Sequence, residues 1–388
     1  MKLVTSRFVV DPPVVLAPMA GITNQAFRRL CREYGAGLYV SEMVTSRALI
    51  ERSPETIRMV TPDKDENIKS VQLYGVDPEV MAKAVELLIR EDRADHIDLN
   101  MGCPVPKVTK KGGGAALPWK KDLFKEILKS AVDTSNKVTK ELDLKPVPIT
   151  VKMRMGIDEE HLTYIDAAKT AVEVGITWIA LHARTAEQMY SGTASWESIK
   201  KLVDELKGSN VPILGNGDIW SAQDALKMVE QTGCDGVVVG RGCLGRPWLF
   251  GQLSAAFEGK EIPQDPNLEE ISLIIKRHAT LLCELYGEYK GIRDIRKHMA
   301  WYLKGFSVGN QLRTSLAMVE SLEQLDFLLK KLDKKQEFPE MVQDKPRGRV
   351  GSRKKVSLPH NWLSTRNINK EEEQDLKFAE LSVSGGYL

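Results

Sequence analysis

The chain lacks the features that would place it in a membrane or in an oxidising compartment. Its 388 residues hold five cysteines, Cys31, Cys103, Cys234, Cys243 and Cys283. An odd, scattered set with no C-x-x-C pair argues against a disulfide framework or a structural zinc site. No apolar run reaches the roughly 18 residues a membrane span needs. The opening MKLVTSRFVVDPPVV has no signal-peptide h-region and no cleavage site. The expectation is a soluble, unprocessed, cytoplasmic protein with no metal and no membrane partner. An excess of one charge is missing as well: 55 Lys and Arg against 53 Asp and Glu leave +2, so only local clusters can speak for an anionic partner.

A composition of 42% hydrophobic and 28% charged residues excludes disorder for the bulk of the chain. The length exceeds the roughly 250 to 300 residues at which single cores stop growing, which predicts one large domain and a smaller one. From Val14 to about Gly245 short apolar runs alternate with amphipathic stretches, the rhythm of a parallel sheet. Eight strands are expected: Val14 to Pro18, Leu38 to Glu42, Lys69 to Tyr74, His96 to Asn100, Val147 to Met153, Trp178 to His182, Val211 to Asn216 and Gly236 to Gly240. Helical spacing fills the gaps at Pro78 to Glu91, Asp122 to Thr139, Leu162 to Glu173 and Ala222 to Gln231. Eight βα units in roughly 230 residues predict an α/β fold of the TIM (β/α)8 barrel type. A doubly wound sheet is the alternative, and the absence of a G-x-G-x-x-G turn weighs against it. The barrel is expected over residues 10–255, and a C-terminal helical-bundle domain over 263–333. A basic, mostly irregular and mobile tail is expected over 339–388, where DKPRGRVGSRKK supplies Pro, Gly and cations.

In such a barrel chemistry gathers at the C-terminal strand ends. Those ends carry Pro18, Met19 and Ala20; Glu42; Gln72; Asn100 and Cys103; Lys152 and Arg154; His182 and Arg184; Asn216, Gly217 and Asp218; Gly240 and Arg241. One polar residue at a strand end is usually a loop hydrogen bond, but a polar residue at nearly every end points to a site. GNGDI and GRG follow the seventh and eighth strands, where barrels bind phosphate; Gly admits close backbone approach and Arg241 adds charge-assisted bonds. Lys152 would donate to developing negative charge, or else form a structural ion pair with Glu42 or Asp98. His182 is either a satisfied core residue or part of the mouth. Cys103 is either a small buried hydrophobe or, with an ordinary thiol pKa near about 8.5, a general acid.

The motifs APMAG (Ala17 to Gly21), VQLYG (Val71 to Gly75), DLNMGCP (Asp98 to Pro104), VKMR (Val151 to Arg154), LHART (Leu181 to Thr185), GNGDI (Gly215 to Ile219) and GRG (Gly240 to Gly242) together resemble the tRNA-dihydrouridine synthases. With the helical region the resemblance covers about residues 10 to 330. It implies an FMN-dependent barrel, NADPH as reductant, and a helical domain that holds tRNA. It further implies that Pro18, Met19, Ala20 and Gln72 contact the isoalloxazine and Lys152 its N1/C2 edge. Asn216, Gly217, Asp218, Gly240 and Arg241 would hold the ribityl phosphate, with His182 close to flavin and substrate. Asn100 and Arg184 would contact the substrate. Reduced FMN would pass hydride to C6 of a uracil while Cys103 protonates C5, once the base has left its stack.

The Tyr289 to Phe306 segment gives evidence that stands apart from the resemblance. At about 100° per residue Ile292, Ile295, Met299, Tyr302, Leu303 and Phe306 share one face, and Lys290, Arg293, Lys297, Trp301 and Lys304 the other. The cationic face is either solvated surface or an RNA contact, and Trp301 would stack on a base or pack on the barrel. Lys107, Lys110, Lys111, Lys345, Arg347, Arg349, Arg353, Lys354 and Lys355 are further phosphate-binding candidates. Two rival functions remain open: an FMN barrel that reduces a free pyrimidine or small enone, and a tRNA-binding folding factor. A monomer is expected.

Overall fold

The computed structural model describes residues 1–348 and 350–381. An antiparallel hairpin of β1 (Leu3–Val4) and β2 (Val9–Val10) precedes the main sheet. That sheet contains β3 (Val14–Leu16), β4 (Leu38–Tyr39), β5 (Met43–Thr45), β6 (Ser70–Tyr74), β7 (His96–Met101), β8 (Ile149–Arg154), β9 (Ile179–His182), β10 (Ile213–Asn216) and β11 (Gly236–Val239). All pairs are parallel, in the order β4-β3-β11-β10-β9-β8-β7-β6-β5. β4 and β5 are successive pieces of one segment, so residues 40–42 join the two ends of the sheet. It therefore closes on itself as the TIM barrel that the sequence predicts.

The second strand differs from its expected form, Leu38 to Glu42, because polar side chains take over its ladder. Ser41 N donates to Ser70 O at 3.0 Å, and its hydroxyl accepts from Gln72 N at 3.2 Å. The four expected barrel helices are present at Pro78–Arg90, Lys121–Glu141, Tyr164–Glu173 and Ala222–Thr232. Their ends follow local chemistry. Asp77 accepts from Glu79 N and Val80 N ahead of Pro78, and Ser221 and Asp224 form a reciprocal cap.

The barrel interior divides into an apolar and a polar half. Val15, Ala17, Leu38, Val40, Trp178, Ala180, Leu214 and Val238 cluster with Leu3, Val10 and Phe8 of the hairpin. Opposite them runs one hydrogen-bonded chain: Ser70 Oγ to His96 Nδ1 (2.8 Å), His96 Nε2 to Thr150 Oγ1 (2.8 Å), Thr150 Oγ1 to Asp98 Oδ1 (2.6 Å), and Gln72 Nε2 to Asp98 Oδ2 (2.7 Å). Full satisfaction makes such a buried network tolerable. The larger apolar core lies outside the strands, between them and the helices.

Helices Leu268–Tyr286, Glu288–Tyr302, Asn310–Ala317 and Leu322–Leu329 follow the barrel. Ile292, Ile295, Met299, Tyr302, Leu303 and Phe306 are all buried, as their spacing predicts. The bundle packs on the barrel helix Gln25–Arg32, where Phe27 meets the rings of His278 (5.5 Å) and His298 (5.9 Å).

The tail departs from the expected mobile segment. Among the described residues it is largely irregular up to Asn369, with a single turn at Trp362–Ser364, then helical over Lys370–Leu381, and it is docked at several points. Arg347 is buried and donates to Trp301 O at 2.8 Å, while Trp362 is 1% exposed and Leu376 4%. A few apolar side chains in a polar run are enough to seat it.

Candidate active site

The open cleft at the C-terminal strand ends is lined by nine of the expected residues: Pro18, Met19, Lys152, His182, Asn216, Gly217, Asp218, Gly240 and Arg241. The β10 and β11 turns build one wall. Gly217 has φ +127°, and a Cβ there would lie 2.6 Å from that of Ala194, so only Gly fits. Asp218 follows at φ 55°. Gly217 and Asp218 both line the cleft, and a Gly-containing turn of this kind suits an anion. Asn216 spends Nδ2 on Val238 O at 2.6 Å.

Two cleft residues went unseen in the sequence. The Arg241 guanidinium lies 4.5 Å from the ring centre of Tyr190 and 4.9 Å from that of Trp220, which holds its cation over the cleft. Both rings come from loops beyond the strand ends, so position along a strand gave no sign of them.

Lys152 projects from β8 beside Asn100 of β7. Its ammonium has no hydrogen-bond partner among the described residues. Burial, with Arg154 nearby, pulls its pKa down to about 8, while Asp98 and Cys103 oppose the shift. The alternative, an ion pair with Glu42 or Asp98, is not formed: the Glu42 carboxylate accepts from Gly21 N, and Asp98 is taken by Thr150 and Gln72. Burial and the surrounding cations keep His182 well below the usual imidazole range, hence neutral.

Cys103 follows β7 at a turn built by Asn100, whose Oδ1 accepts from Gly102 N (3.1 Å) and Cys103 N (2.9 Å). Asn100 Nδ2 donates to Gln72 Oε1 at 2.9 Å and touches Met43 Sδ at 3.2 Å. Gln72 is therefore a buried support beneath the mouth, not part of the cleft lining. Arg154 Nε fixes the same turn through Gly102 O at 3.0 Å. Burial raises the Cys103 thiol above its ordinary pKa, against the pull of Val105 N, Arg154 and Lys152. The thiol thus stays protonated at neutral pH, as a proton donor must.

Several expected contacts are placed differently. Arg184 is 1% exposed and donates to Ser191 O (3.1 Å), Gly192 O (2.8 Å) and both Asp218 oxygens (2.8 Å each). It braces Asp218 instead of opening to substrate, because the Ser191 and Gly192 carbonyls and the Asp218 carboxylate take its donors. Ala20 is exposed at the rim and does not line the cleft. Trp301 is half-buried: its backbone and Cβ close on Gly245, and its ring lies edge-on to His298 at 5.2 Å. Lys304 donates to Pro346 O at 2.7 Å. Lys290 is exposed beside the Tyr286 ring, and Arg293 lies 3.6 Å over Tyr289. Lys297 pairs with Asp294 and its Nζ reaches within 4.0 Å of the Cβ position of Gly21, at the rim of the barrel mouth. Lys107, Lys110, Lys345, Arg353, Lys354 and Lys355 are exposed. Lys111 is half-buried, Arg347 is buried, and Arg349 lies outside the described residues.

Among the described residues no helix is long and apolar enough to cross a membrane. No group of three or more His, Cys, Asp or Glu that could hold a metal ion is found among them. The sequence profile of the family described as Dihydrouridine synthase (Dus) matches residues 15–339. A relative from Mycobacterium tuberculosis (strain CDC 1551 / Oshkosh), named probable tRNA-dihydrouridine synthase, is 54% identical over 359 residues, covering 91% of this chain and 90% of its own. A probable tRNA-dihydrouridine synthase from Mycobacterium leprae (strain TN) is 50% identical, over 90% of this chain and 95% of its own. tRNA-dihydrouridine synthase B of Pasteurella multocida (strain Pm70) is 39% identical, over 80% and 90%. With the profile spanning barrel and bundle alike, this chain belongs to the dihydrouridine synthase family.

Proposed function

We propose that the protein reduces uridines of tRNA to 5,6-dihydrouridine, using FMN as cofactor and NADPH as reductant. The observation that carries this reading is the pairing at one barrel mouth of a protonated thiol, Cys103, with the cleft of Lys152, His182, Asn216, Gly217 and Arg241. The residues fit a flavin mononucleotide. The turn at Gly217 and Asp218, with Arg241, suits its phosphate, the unpartnered Lys152 ammonium suits an electron-rich ring edge, and Met19 with Pro18 supplies an apolar face. When bound and reduced, FMN supplies the hydride that the C6 position of uracil receives.

The chain's own groups do the rest. Cys103 gives its proton to C5, which completes the two-electron, two-proton reduction of the double bond. Asn100 holds the Cys103 turn, and its contact with Met43 Sδ, a weak acceptor, is the one it can exchange for uracil. Neutral His182 walls the cleft without adding charge. Lys297 at the rim of the mouth, with Lys290 and Arg293 earlier on the same helix, serves the tRNA backbone. The protein acts as a cytoplasmic monomer, with the barrel over residues 10–255, the tRNA-holding bundle over 263–333 and the tail over 339–388.

The test is nucleoside mass spectrometry on tRNA from a strain lacking dihydrouridine, after incubation with purified protein and NADPH. New dihydrouridine is expected. None, from yellow protein whose flavin NADPH reduces, would overturn the reading in favour of a small-molecule reductase; tRNA binding without NADPH oxidation would favour a folding factor.

A further inference from the structure

The family match ends at residue 339, yet the chain beyond it is wound onto the loop that follows Cys103. Trp362 buries its ring there and donates Nε1–H to Ala116 O at 3.0 Å. Gly112, at φ +73°, has no room for a Cβ, because Trp362 Cη2 and Leu376 Cδ2 each lie 2.8 Å from that position. Lys120 is 0% exposed, and its ammonium donates to Thr365 Oγ1 (3.0 Å), Asn367 O (3.3 Å) and Glu372 Oε1 (2.8 Å). Arg366 Nε donates to Trp119 O at 3.0 Å, and Asp122 accepts from Ile368 N at 3.0 Å.

The other face of the same loop rests on the reacting cysteine. Ala115 N donates to Cys103 O at 3.0 Å. A Cβ at Gly114, φ +56°, would lie 2.5 Å from Cys103 O and 3.1 Å from Cys103 Cβ. The loop is thus pressed between the tail and Cys103, with no slack on either side. A loop with three successive glycines, Gly112 to Gly114, would otherwise sample many backbone states.

We propose that the tail from Trp362 to Leu376 is a positioning brace that sets the Cys103 thiol by clamping the 112–120 loop against it. The brace acts through the loop and touches neither substrate nor cofactor. Its consequence for turnover rests on the reading of Cys103 as the proton donor, since an error of about 1 Å in a reacting group can cost on the order of a hundredfold in rate. Burial raises the Cys103 pKa, so loosening the loop should let water in and bring the thiol's titration down.

The experiment compares full-length wild type with Trp362→Ala, Trp362→Phe and Glu372→Gln. Iodoacetamide labelling at Cys103 is followed by peptide mass spectrometry across pH, alongside bound-flavin absorbance and tRNA reduction kinetics. The brace predicts labelling at Cys103 about tenfold faster in Trp362→Ala, with its pH midpoint lowered. It also predicts kcat reduced about tenfold with KM for tRNA and flavin content unchanged, and partial rescue by Trp362→Phe. Glu372→Gln should move in the same direction by a smaller factor. Unchanged labelling and kcat with only a lower melting temperature would overturn the brace. If Trp362→Ala fails to fold, unchanged labelling in the two milder variants overturns it equally. The labelling arm needs neither tRNA nor NADPH, so it decides the brace even if the wild type fails to reduce tRNA, a failure that belongs to the proposed function.

Discussion

At the residue scale the mouth holds two neighbouring groups whose burial drives their pKa values in opposite directions, each toward its neutral form. Cys103 is pushed up, so its proton is retained; Lys152 is pulled down to about 8, so its charge is lost in mildly alkaline solution. The ammonium of the free protein is present below about pH 8 and disappears above it. Affinity for FMN, measured by flavin fluorescence quenching, should therefore weaken as pH rises through that value, and Lys152→Met should remove the inflection. Cys103→Ala should keep the flavin bound while tRNA reduction drops by about 10² to 10⁴-fold, the usual worth of a positioned acid. Loss of the yellow colour in that variant would instead make the cysteine structural. The strand-end rule located Lys152, His182 and Cys103 because a parallel barrel presents those positions to its mouth whatever the loops do. It misplaced Arg184 because open and covered strand ends have the same sequence signature.

At the scale of elements, the β10 turn shows how backbone geometry makes a site. Gly217 carries a positive φ and touches Ala194, Asp218 follows at positive φ, and Asp218 in turn is locked by Arg184 and by Ala194 N at 2.6 Å. Gly217→Ala must strain the backbone by about 1–3 kcal/mol and push the Ser191 to Ser195 loop outward. The expected result is a lower melting temperature together with loss of most bound flavin on gel filtration; retention of full flavin would show that the turn is not part of the phosphate wall. G-N-G-D-I was legible as a turn from its glycines. Tyr190 and Trp220, which flank Arg241, were not, since only the folded loops bring them within 5 Å of that guanidinium.

At the scale of the whole molecule the bundle and barrel are joined by an apolar contact ringed with ions. Phe27 is fully buried between His278 and His298, and Phe27→Ala should cost about 3–5 kcal/mol in urea unfolding. Arg277→Ala, which removes an exposed pair with Glu33, should cost less than about 1 kcal/mol. Four of the six histidines, His96, His182, His278 and His298, are buried and held neutral by desolvation, His96 and His278 with pKa values near about 3. Their folded pKa values lie below the unfolded value of about 6.5, so between these limits the unfolded chain binds more protons. Stability should be fully present above about pH 6.5 and fall as pH drops below it, by up to about 1.4 kcal/mol per pH unit per histidine. A urea midpoint that stays flat between pH 7 and 5 would contradict this.

The sequence by itself determined the barrel, the bundle and the identity of the groups at most strand ends. These follow from period and position: eight alternating apolar runs and amphipathic helices without a G-x-G-x-x-G turn fit a closed parallel barrel better than a doubly wound sheet. It also determined the buried face of Glu288–Tyr302, since helical spacing alone separates Ile292 and Ile295 from Lys290 and Lys297. Only the tertiary structure decided which polar groups are spent and which remain available. Arg184, expected to contact substrate, and Arg347, a phosphate-binding candidate, are both buried and donate to backbone carbonyls, and Lys120 is buried against a carboxylate of the tail. The tail was read as mobile for the same reason: the seat for Trp362 and Leu376 is built by Gly112 and Ala116, roughly 250 residues earlier. Local composition carries no record of a partner that far away.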